Sequence, residues 1–127
     1  MSFFVVNGNV VCQGIRWDPF TITSAVQVDN APINSAVVLV KPSAAIDVTG
    51  FDPALAFATS TPHGSMLWLR NKSLTHSVTL KHDATSSAGN RIYTPSGSDY
   101  VVGPKSQAFL LYDTDENEAN PGWWVFA

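Results

Sequence analysis

Turn-forming residues interrupt this sequence so often that no long amphipathic helix fits it. Apolar residues at positions i, i+3, i+4 and i+7 are not sustained beyond about two turns, because Gly, Pro, Asn and Ser recur at short intervals. The best helix candidate, residues 52–59 (DPALAFAT), supports one short turn that Asp52 would cap. The sequence therefore predicts an all-β protein.

Short β-rich runs fill the stretches between the turn signals. Two of them flank Asn7-Gly8, a pair favoured in tight hairpins. Residues 37–40 and 108–112 are apolar on both faces, as expected for strands covered on both sides. The aromatic run at 122–126 predicts a last strand inside a sheet or in a subunit contact. About eight to ten such runs predict a single compact β-sandwich or jelly-roll-like domain over residues 1–127, and no sequence repeat, low-complexity tract or linker is visible.

Composition narrows the class of protein further. The 127 residues carry a net charge of −3 and no Lys/Arg run, which argues against a nucleic-acid partner. Only 13% of the residues are charged, fewer than a monomer usually exposes, so we expect part of the surface to be covered by other subunits. No apolar run approaches the roughly eighteen residues that would span a membrane. Cys12 is the sole cysteine and no signal peptide begins the chain, so we expect a soluble protein made in a reducing compartment.

One stretch, residues 82–95 (HDATSSAGNRIYTP), has the residue types of a hydrolase site. A triad would need His82 within hydrogen-bond reach of Ser86 or Ser87 and oriented by Asp83, yet adjacent strand residues point to opposite sides. No G-x-S-x-G elbow is present to expose a serine. We therefore predict that the protein is not an enzyme and has no cofactor.

Two other polar sets resemble metal sites. Asp113, Asp115 and Asn117 have the spacing that begins an EF-hand loop, but the glycine and the bidentate glutamate that complete such a loop are missing. The spacings of the three histidines at 63, 76 and 82 fit no standard zinc pattern. We predict no metal site.

The tryptophans offer two alternatives, a platform on which carbohydrates stack or packing in the core and in subunit contacts. Trp123 and Trp124 are neighbours on a predicted strand, so at most one of them serves a given surface. The candidate interface residues are Phe3, Phe4, Trp17, Trp68, Trp123, Trp124 and Phe126.

The order of the elements from residue 45 to residue 127 resembles a β-structured module of tailed-bacteriophage virion proteins, found in tail fibres, tail spikes, needle tips and head-associated proteins. The resemblance rests on AIDVTGF, GSMLWLRN, HSVTLKHDATSSAGNRIYTPSGSDYVVGP, AFLLYD and GWWVF, in that order. It implies a compact all-β domain, usually trimeric, without enzymatic activity. The matching positions that it implies to be structural include the loop residues His82, Asn90, Arg91, Ile92 and Asp113.

A virion role follows from the resemblance. No fibre shaft precedes the module, so we expect an auxiliary protein that decorates or cements the capsid shell, with residues 1–20 as an N-terminal arm or edge hairpin. Its expected partners are itself, as a homotrimer, and other virion proteins, in a virion assembled in the host cytoplasm. The alternative is the receptor-binding tip of a tail fibre or head fibre that recognises host surface glycans.

The loop at the centre of the module has a structural interpretation. Asn90 suits a backbone position with positive φ. Arg91 is placed to donate its fork of hydrogen bonds to loop carbonyls or to a carboxylate, and Ile92 returns the chain to the core.

Overall fold

A computed structural model describes residues 3–6, 9–12, 20–23, 26–33, 35–52, 64–114 and 121–126 of the chain. All regular elements in this part are β-strands, which confirms the all-β prediction. The strands are β1 (Phe3–Val6), β2 (Asn9–Cys12), β3 (Phe20–Ile22), β4 (Gln27–Val28), β5 (Ala31–Pro32), β6 (Val37–Val40), β7 (Ile46–Val48), β8 (Phe51–Asp52), β9 (Met66–Asn71), β10 (Val78–Leu80), β11 (Ile92–Tyr93), β12 (Tyr100–Val102), β13 (Gln107–Asp113) and β14 (Gly122–Phe126).

The helical turn predicted at 52–59 falls almost entirely outside the described residues. Asp52, its expected cap, belongs to β8 and pairs with Pro32 instead.

The first two strands form a hairpin. β1 and β2 pair antiparallel, with Phe3 opposite Cys12 and Val6 opposite Asn9. The predicted turn pair, Asn7-Gly8, lies between these two strands in sequence and outside the described residues. The role of residues 1–20 as an arm stays a prediction.

After the hairpin, the described strands enter three sheets in the same order twice, and the next two strands then return to the first two of these sheets. β3, β6 and β9 lie parallel and adjacent in a six-stranded sheet, while β4, β7 and β10 do so in a four-stranded sheet. β5 and β8 form a parallel pair of their own. Each pass lies beside the previous one, so Phe20 pairs with Val38 and Ala31 with Phe51. This is the geometry of a coil whose first and second passes are 18 to 20 residues apart and whose second and third passes are 31 or 32 residues apart.

Antiparallel strands finish the coil. β13 lies beside β9, and β12 lies beside β10, each running opposite to its neighbour. β14 is hydrogen-bonded between β13 and β11, so the last strand is internal to the sheet, as predicted. The mixture of parallel coil and antiparallel closure is not what hairpin-linked strands of a jelly roll predict, because parallel neighbours need a crossover between them.

Both large sheets contribute to one core. In β10 the inward Val78 and Leu80 are fully buried, and Thr79 between them is partly exposed, as expected for a strand with one face on the core. β6 lies between β3 and β9 and has little exposed surface on either face, as its two-sided apolar pattern predicted. The two sheets therefore share a single hydrophobic interior.

Gly50, between β7 and β8, lets the loop at residues 82–92 close against the coil. A Cβ atom at this position would lie 2.3 Å from the carbonyl oxygen of Asn90 and 2.6 Å from Cβ of Ser86. The next residue, Phe51, donates its backbone N–H to the same oxygen of Asn90 at 2.9 Å. The close approach fixes where the loop lies, because a side chain at Gly50 would collide with backbone.

Candidate interaction surface

The residues with the types of a hydrolase site are each bonded elsewhere. The imidazole Nδ1 of His82 accepts the backbone N–H of Thr94 at 3.0 Å, and the ring packs edge-on against Tyr93. Asp83 pairs through its carboxylate with the guanidinium of Arg91 at 2.9 Å. Neither side chain is directed to a nucleophile by these contacts.

The Ser86 hydroxyl is buried, with 1% of the residue exposed. It lies 2.7 Å from the hydroxyl of Thr49 and accepts the backbone N–H of Asn30 at 2.8 Å. Thr49 in turn donates to the carboxylate of Asp29 at 2.6 Å, and this bond, with another from Thr85, holds the pKa of Asp29 below its usual value. Through these bonds Ser86 links the coil to the 82–92 loop. Neither partner of its hydroxyl, the N–H of Asn30 or the hydroxyl of Thr49, is a general base.

Arg91 has the bonds that the sequence predicted. Its Nε donates to the carbonyl oxygen of Ser86 at 2.8 Å, and its Nη1 donates to Asp83. Ile92 is fully buried in the core, also as predicted. The three contacts close the loop on itself and return the chain to the interior.

The prediction of positive φ at Asn90 is wrong. Gly89, one residue earlier, has a φ of 88°, where the missing Cβ removes the steric cost of this conformation. Asn90 contributes through its side chain instead, since its amide donates to Oδ1 of Asn30 at 3.0 Å.

The two sets considered as metal sites lie partly outside the described residues. Asp113 ends β13 opposite Gly122, but residues 115–120 of the acidic loop, and the histidine at position 63, are not described. Within the described residues, no group of three or more His, Cys, Asp or Glu could hold a metal ion. The absence of a cofactor or metal stays a prediction.

The six-stranded sheet presents an apolar surface on the side away from the core. Its register places Val37, Trp68, Phe109 and Phe126 in one row across β6, β9, β13 and β14. We call this surface the outer face, and it comprises Val37, Met66, Trp68, Phe109, Leu111, Trp124 and Phe126.

Three of its residues are well exposed. Met66 is 56% exposed, Phe109 40% and Phe126 52%. Large apolar side chains clustered in this way on a soluble domain mark an interaction site. The outer face is therefore the candidate functional site of the described part of the chain.

Two aromatic rings at the centre of the outer face are held in place. The Trp68 and Phe109 rings stack with centroids 6.0 Å apart and planes 7° from parallel. Trp68 also donates its indole N–H to the side-chain oxygen of Gln107 at 3.1 Å. Rings fixed in this way lose little side-chain entropy when a partner covers them.

Beside the Trp68 ring lies an apolar slot of about 270 Å³. We call this cavity the slot, and its lining residues are Ala36, Val37, Met66, Leu67, Trp68 and Phe109. It lies toward the β6 end of the row that crosses the sheet.

The two neighbouring tryptophans of β14 face opposite ways, as predicted, and only one of them is on the outer face. Trp124 stacks on Tyr93 with centroids 5.3 Å apart, and its buried indole N–H has no hydrogen-bond partner. Trp123 is 2% exposed in the core, packs edge-on against Phe51 and Tyr112, and donates its N–H to the Phe51 carbonyl. Its assignment to an interface is wrong, because the core already encloses it.

The remaining interface candidates divide between the outer face and the N-terminus. Trp68, Trp124 and Phe126 lie on the outer face. Phe3 and Phe4 belong to β1, and Trp17 lies outside the described residues.

Sequence reasoning did not single out Met66, Phe109 or Leu111, which complete the outer face. All three residues belong to runs, in β9 and β13, that are apolar on both faces, and this pattern could have indicated a second apolar surface. The alternation there assigns Met66 and Phe109 to the same side as Trp68 once the pairing of the strands is known.

Searches against protein-family models, curated proteins and solved structures found no match to this chain. The described part of the chain contains no helix that could cross a membrane.

Proposed function

We propose that this chain is a structural component of a bacteriophage virion, an auxiliary protein that decorates or cements the capsid shell as a homotrimer. The observation that carries the proposal is the outer face, where Met66, Phe109 and Phe126 expose a continuous apolar surface suited to assembly. Its partners are further copies of itself and the capsid shell, and it acts in the virion after assembly in the host cytoplasm.

The 82–92 loop supports a structural role. His82, Asp83 and Ser86, the residues that chemistry would need, are bonded to Thr94, to Arg91 and to Thr49 instead. These bonds agree with the non-enzymatic character that the resemblance to phage virion modules implies. The two sheets around one core fit the compact β-sandwich-like domain expected of such a module.

The second candidate is a receptor-binding tip that recognises host glycans. An indole beside the Gln107 amide and the exposed Arg70 is a combination that can hold a sugar. Against it, one face of the Trp68 ring is covered by Phe109, and the Gln107 oxygen is already engaged by the indole. Decoration of the capsid is therefore the better supported function.

Immunogold labelling of intact particles of the phage that encodes this chain tests both candidates. Label distributed over the heads is the expected result, with a copy number divisible by three in quantitative mass spectrometry of the particles. Label at the tail tip, with glycan-array binding that Trp68→Ala abolishes, would establish the receptor-binding alternative. Absence of the protein from purified particles would refute both.

A further inference from the structure

A cavity and an exposed aromatic side chain lie in one row on the outer face, the cavity between β6 and β13 and the side chain on β14. The row runs through Val37, Trp68, Phe109 and Phe126 in that order. We propose that the slot of one copy of this chain receives Phe126 of a second copy. The inference rests on the proposed structural role, which it deepens by naming the contact through which copies assemble.

The slot has the size and character of a receptor for one apolar side chain. Its volume of about 270 Å³ is below the range of roughly 300 to 1,000 Å³ in which small-molecule sites fall. All six lining residues are apolar, so no side chain is placed to orient a polar ligand. Aromatic anchors that enter such preformed pockets contribute most to protein–protein affinity.

Phe126 does not line the slot of its own chain, although it pairs with Phe109, which does. Ala36, in the slot, precedes β6, and Phe126 lies on β14, with β9 and β13 between them. Three inter-strand spacings of about 4.8 Å separate the two positions by roughly 14 Å across the sheet. Its 52% exposed side chain is therefore available to another molecule.

A second copy supplies the matching pair of features. A two-fold rotation about an axis parallel to the strands places Phe126 of each molecule over the slot of the other, and both contacts form at once. In a closed ring of three, each Phe126 enters the slot of the next molecule. The low charged fraction of the chain, 13%, agrees with a surface partly covered by its own copies.

Filling the slot from within provides the sharpest test. Ala36→Phe places an aromatic ring in the cavity without removing any apolar surface, and Ala36→Ser is its control because it leaves the cavity open. By analytical ultracentrifugation we expect the wild-type protein and Ala36→Ser to associate at micromolar concentration. Ala36→Phe is expected to weaken association at least tenfold.

Removal of the Phe126 side chain, which is proposed to enter the slot, is the reciprocal change. Phe126→Ala is expected to weaken association as Ala36→Phe does. Val101→Ala, which trims another exposed apolar residue on β12 of the four-stranded sheet, is expected to leave it unchanged. Circular dichroism melting of each variant identifies any loss of fold. A monomeric wild-type protein, or unchanged association of folded Ala36→Phe and Phe126→Ala, would overturn the contact.

Cross-linking tests the pairing directly. The photoreactive residue p-benzoylphenylalanine at position 126 keeps an aromatic ring there, and irradiation is expected to give a covalent dimer linked to the slot residues of the second copy. The same residue at position 101 is expected to give no such dimer. Absence of a link between position 126 and the slot would contradict the contact.

The stoichiometry separates this inference from the proposed function. Three copies support the trimer, whereas two copies linked through the slot keep the contact and refute the trimer. Particles that lack the protein refute the virion role and leave the contact intact.

Discussion

The hydroxyl oxygens of Thr49 and Ser86 lie 2.7 Å apart in the interior, although 37 residues separate them in sequence. The contact joins the second pass of the coil to the 82–92 loop, and Ser86 also accepts the backbone N–H of Asn30. We predict that Ser86→Ala lowers the free energy of unfolding by about 2 kcal/mol, because the partly buried N–H of Asn30 loses its acceptor and the buried Thr49 hydroxyl loses its partner. Chemical denaturation in urea measures the loss.

Ser87→Ala is the matched control for this variant. Ser87 is exposed, and its hydrogen bonds are made by its backbone: the N–H donates to Oδ1 of Asn30, and the carbonyl oxygen accepts the N–H of Asn90. Its stability should stay within about 0.5 kcal/mol of the wild type. Equal stability of the two variants would show that the buried hydroxyl does not fasten the loop.

Arg91→Ala should lower the melting temperature. It removes the Nε bond to the carbonyl oxygen of Ser86 together with the ion pair to Asp83. Since the side chain is about one-third exposed, we expect a loss of about 1 kcal/mol, which corresponds to roughly 3 to 6 °C. Differential scanning calorimetry measures the shift.

The contribution of the ion pair is isolated by Asp83→Asn. Asp83 has a φ of 44°, a conformation that Asn also tolerates, so this variant removes charge without backbone strain. A much smaller shift than that of Arg91→Ala is expected. An unchanged melting temperature in Arg91→Ala itself would refute the structural role of this residue.

The faces of the strands could be predicted from the sequence, but their partners could not. Alternation identified Val78 and Leu80 as inward residues, because successive strand residues point to opposite sides. The parallel coil was not predictable, since β3 pairs with β6 and β4 with β7 through contacts that no turn signal specifies. The spacing also changes, from 18 to 20 residues between the first two passes to 31 or 32 between the second and third, which hides the repeat in the sequence.

The outer face was also predictable only in part, because the sequence gives the alternation within each strand but not the partners of the strand. Alternation shows that Trp123 and Trp124 oppose each other, but only the position of the core determines that Trp123 is the inner one. Gly89 and Asn90 both tolerate positive φ, and local sequence does not choose between them. The slot depends on residues from β6, β9 and β13, so it exists only once the three strands are adjacent.

Asn71 is expected to be among the least replaceable polar residues of the described chain. It is fully buried, and its amide donates to the carbonyl oxygens of His76, Val102 and Gly103 at 2.8, 3.1 and 3.1 Å. Asn71→Asp replaces the donor with a carboxylate that faces three carbonyls. We predict a loss of at least about 3 kcal/mol, measured by urea denaturation.

Lys72→Gln, at the exposed neighbouring position, is the control for Asn71→Asp and should be close to neutral. Stability of Asn71→Asp within about 1 kcal/mol of the wild type would contradict the role of the amide. The side-chain oxygen of Asn71 accepts the backbone N–H of Ser73 at 2.9 Å, and this bond closes a local turn over Asn71-Lys72-Ser73.

The pair formed by Lys81 and Asp99 predicts a stability that falls in acid. The ammonium of Lys81 and the backbone N–H of His82 donate to the carboxylate of Asp99, and these bonds lower its pKa. A carboxyl group whose pKa is lower in the folded state stabilises the protein above its unfolded pKa of about 3.9, and this stabilisation is lost as the pH falls through the folded value. The pKa of Lys81 is raised by the same bond, so its contribution is present below about 10.4 and is lost as the pH rises through the folded value.

A double-mutant cycle with Lys81→Gln and Asp99→Asn tests the pair through the midpoints of urea unfolding. We expect favourable coupling between the two side chains at pH 7, where both are charged. The coupling should vanish near pH 2, because the carboxylate is then protonated in folded and unfolded protein alike. High salt at pH 7 should weaken it as well, since both side chains are about one-third exposed and the pair is screened. Coupling of the same size at both pH values would mean that the two residues interact through packing and not through charge.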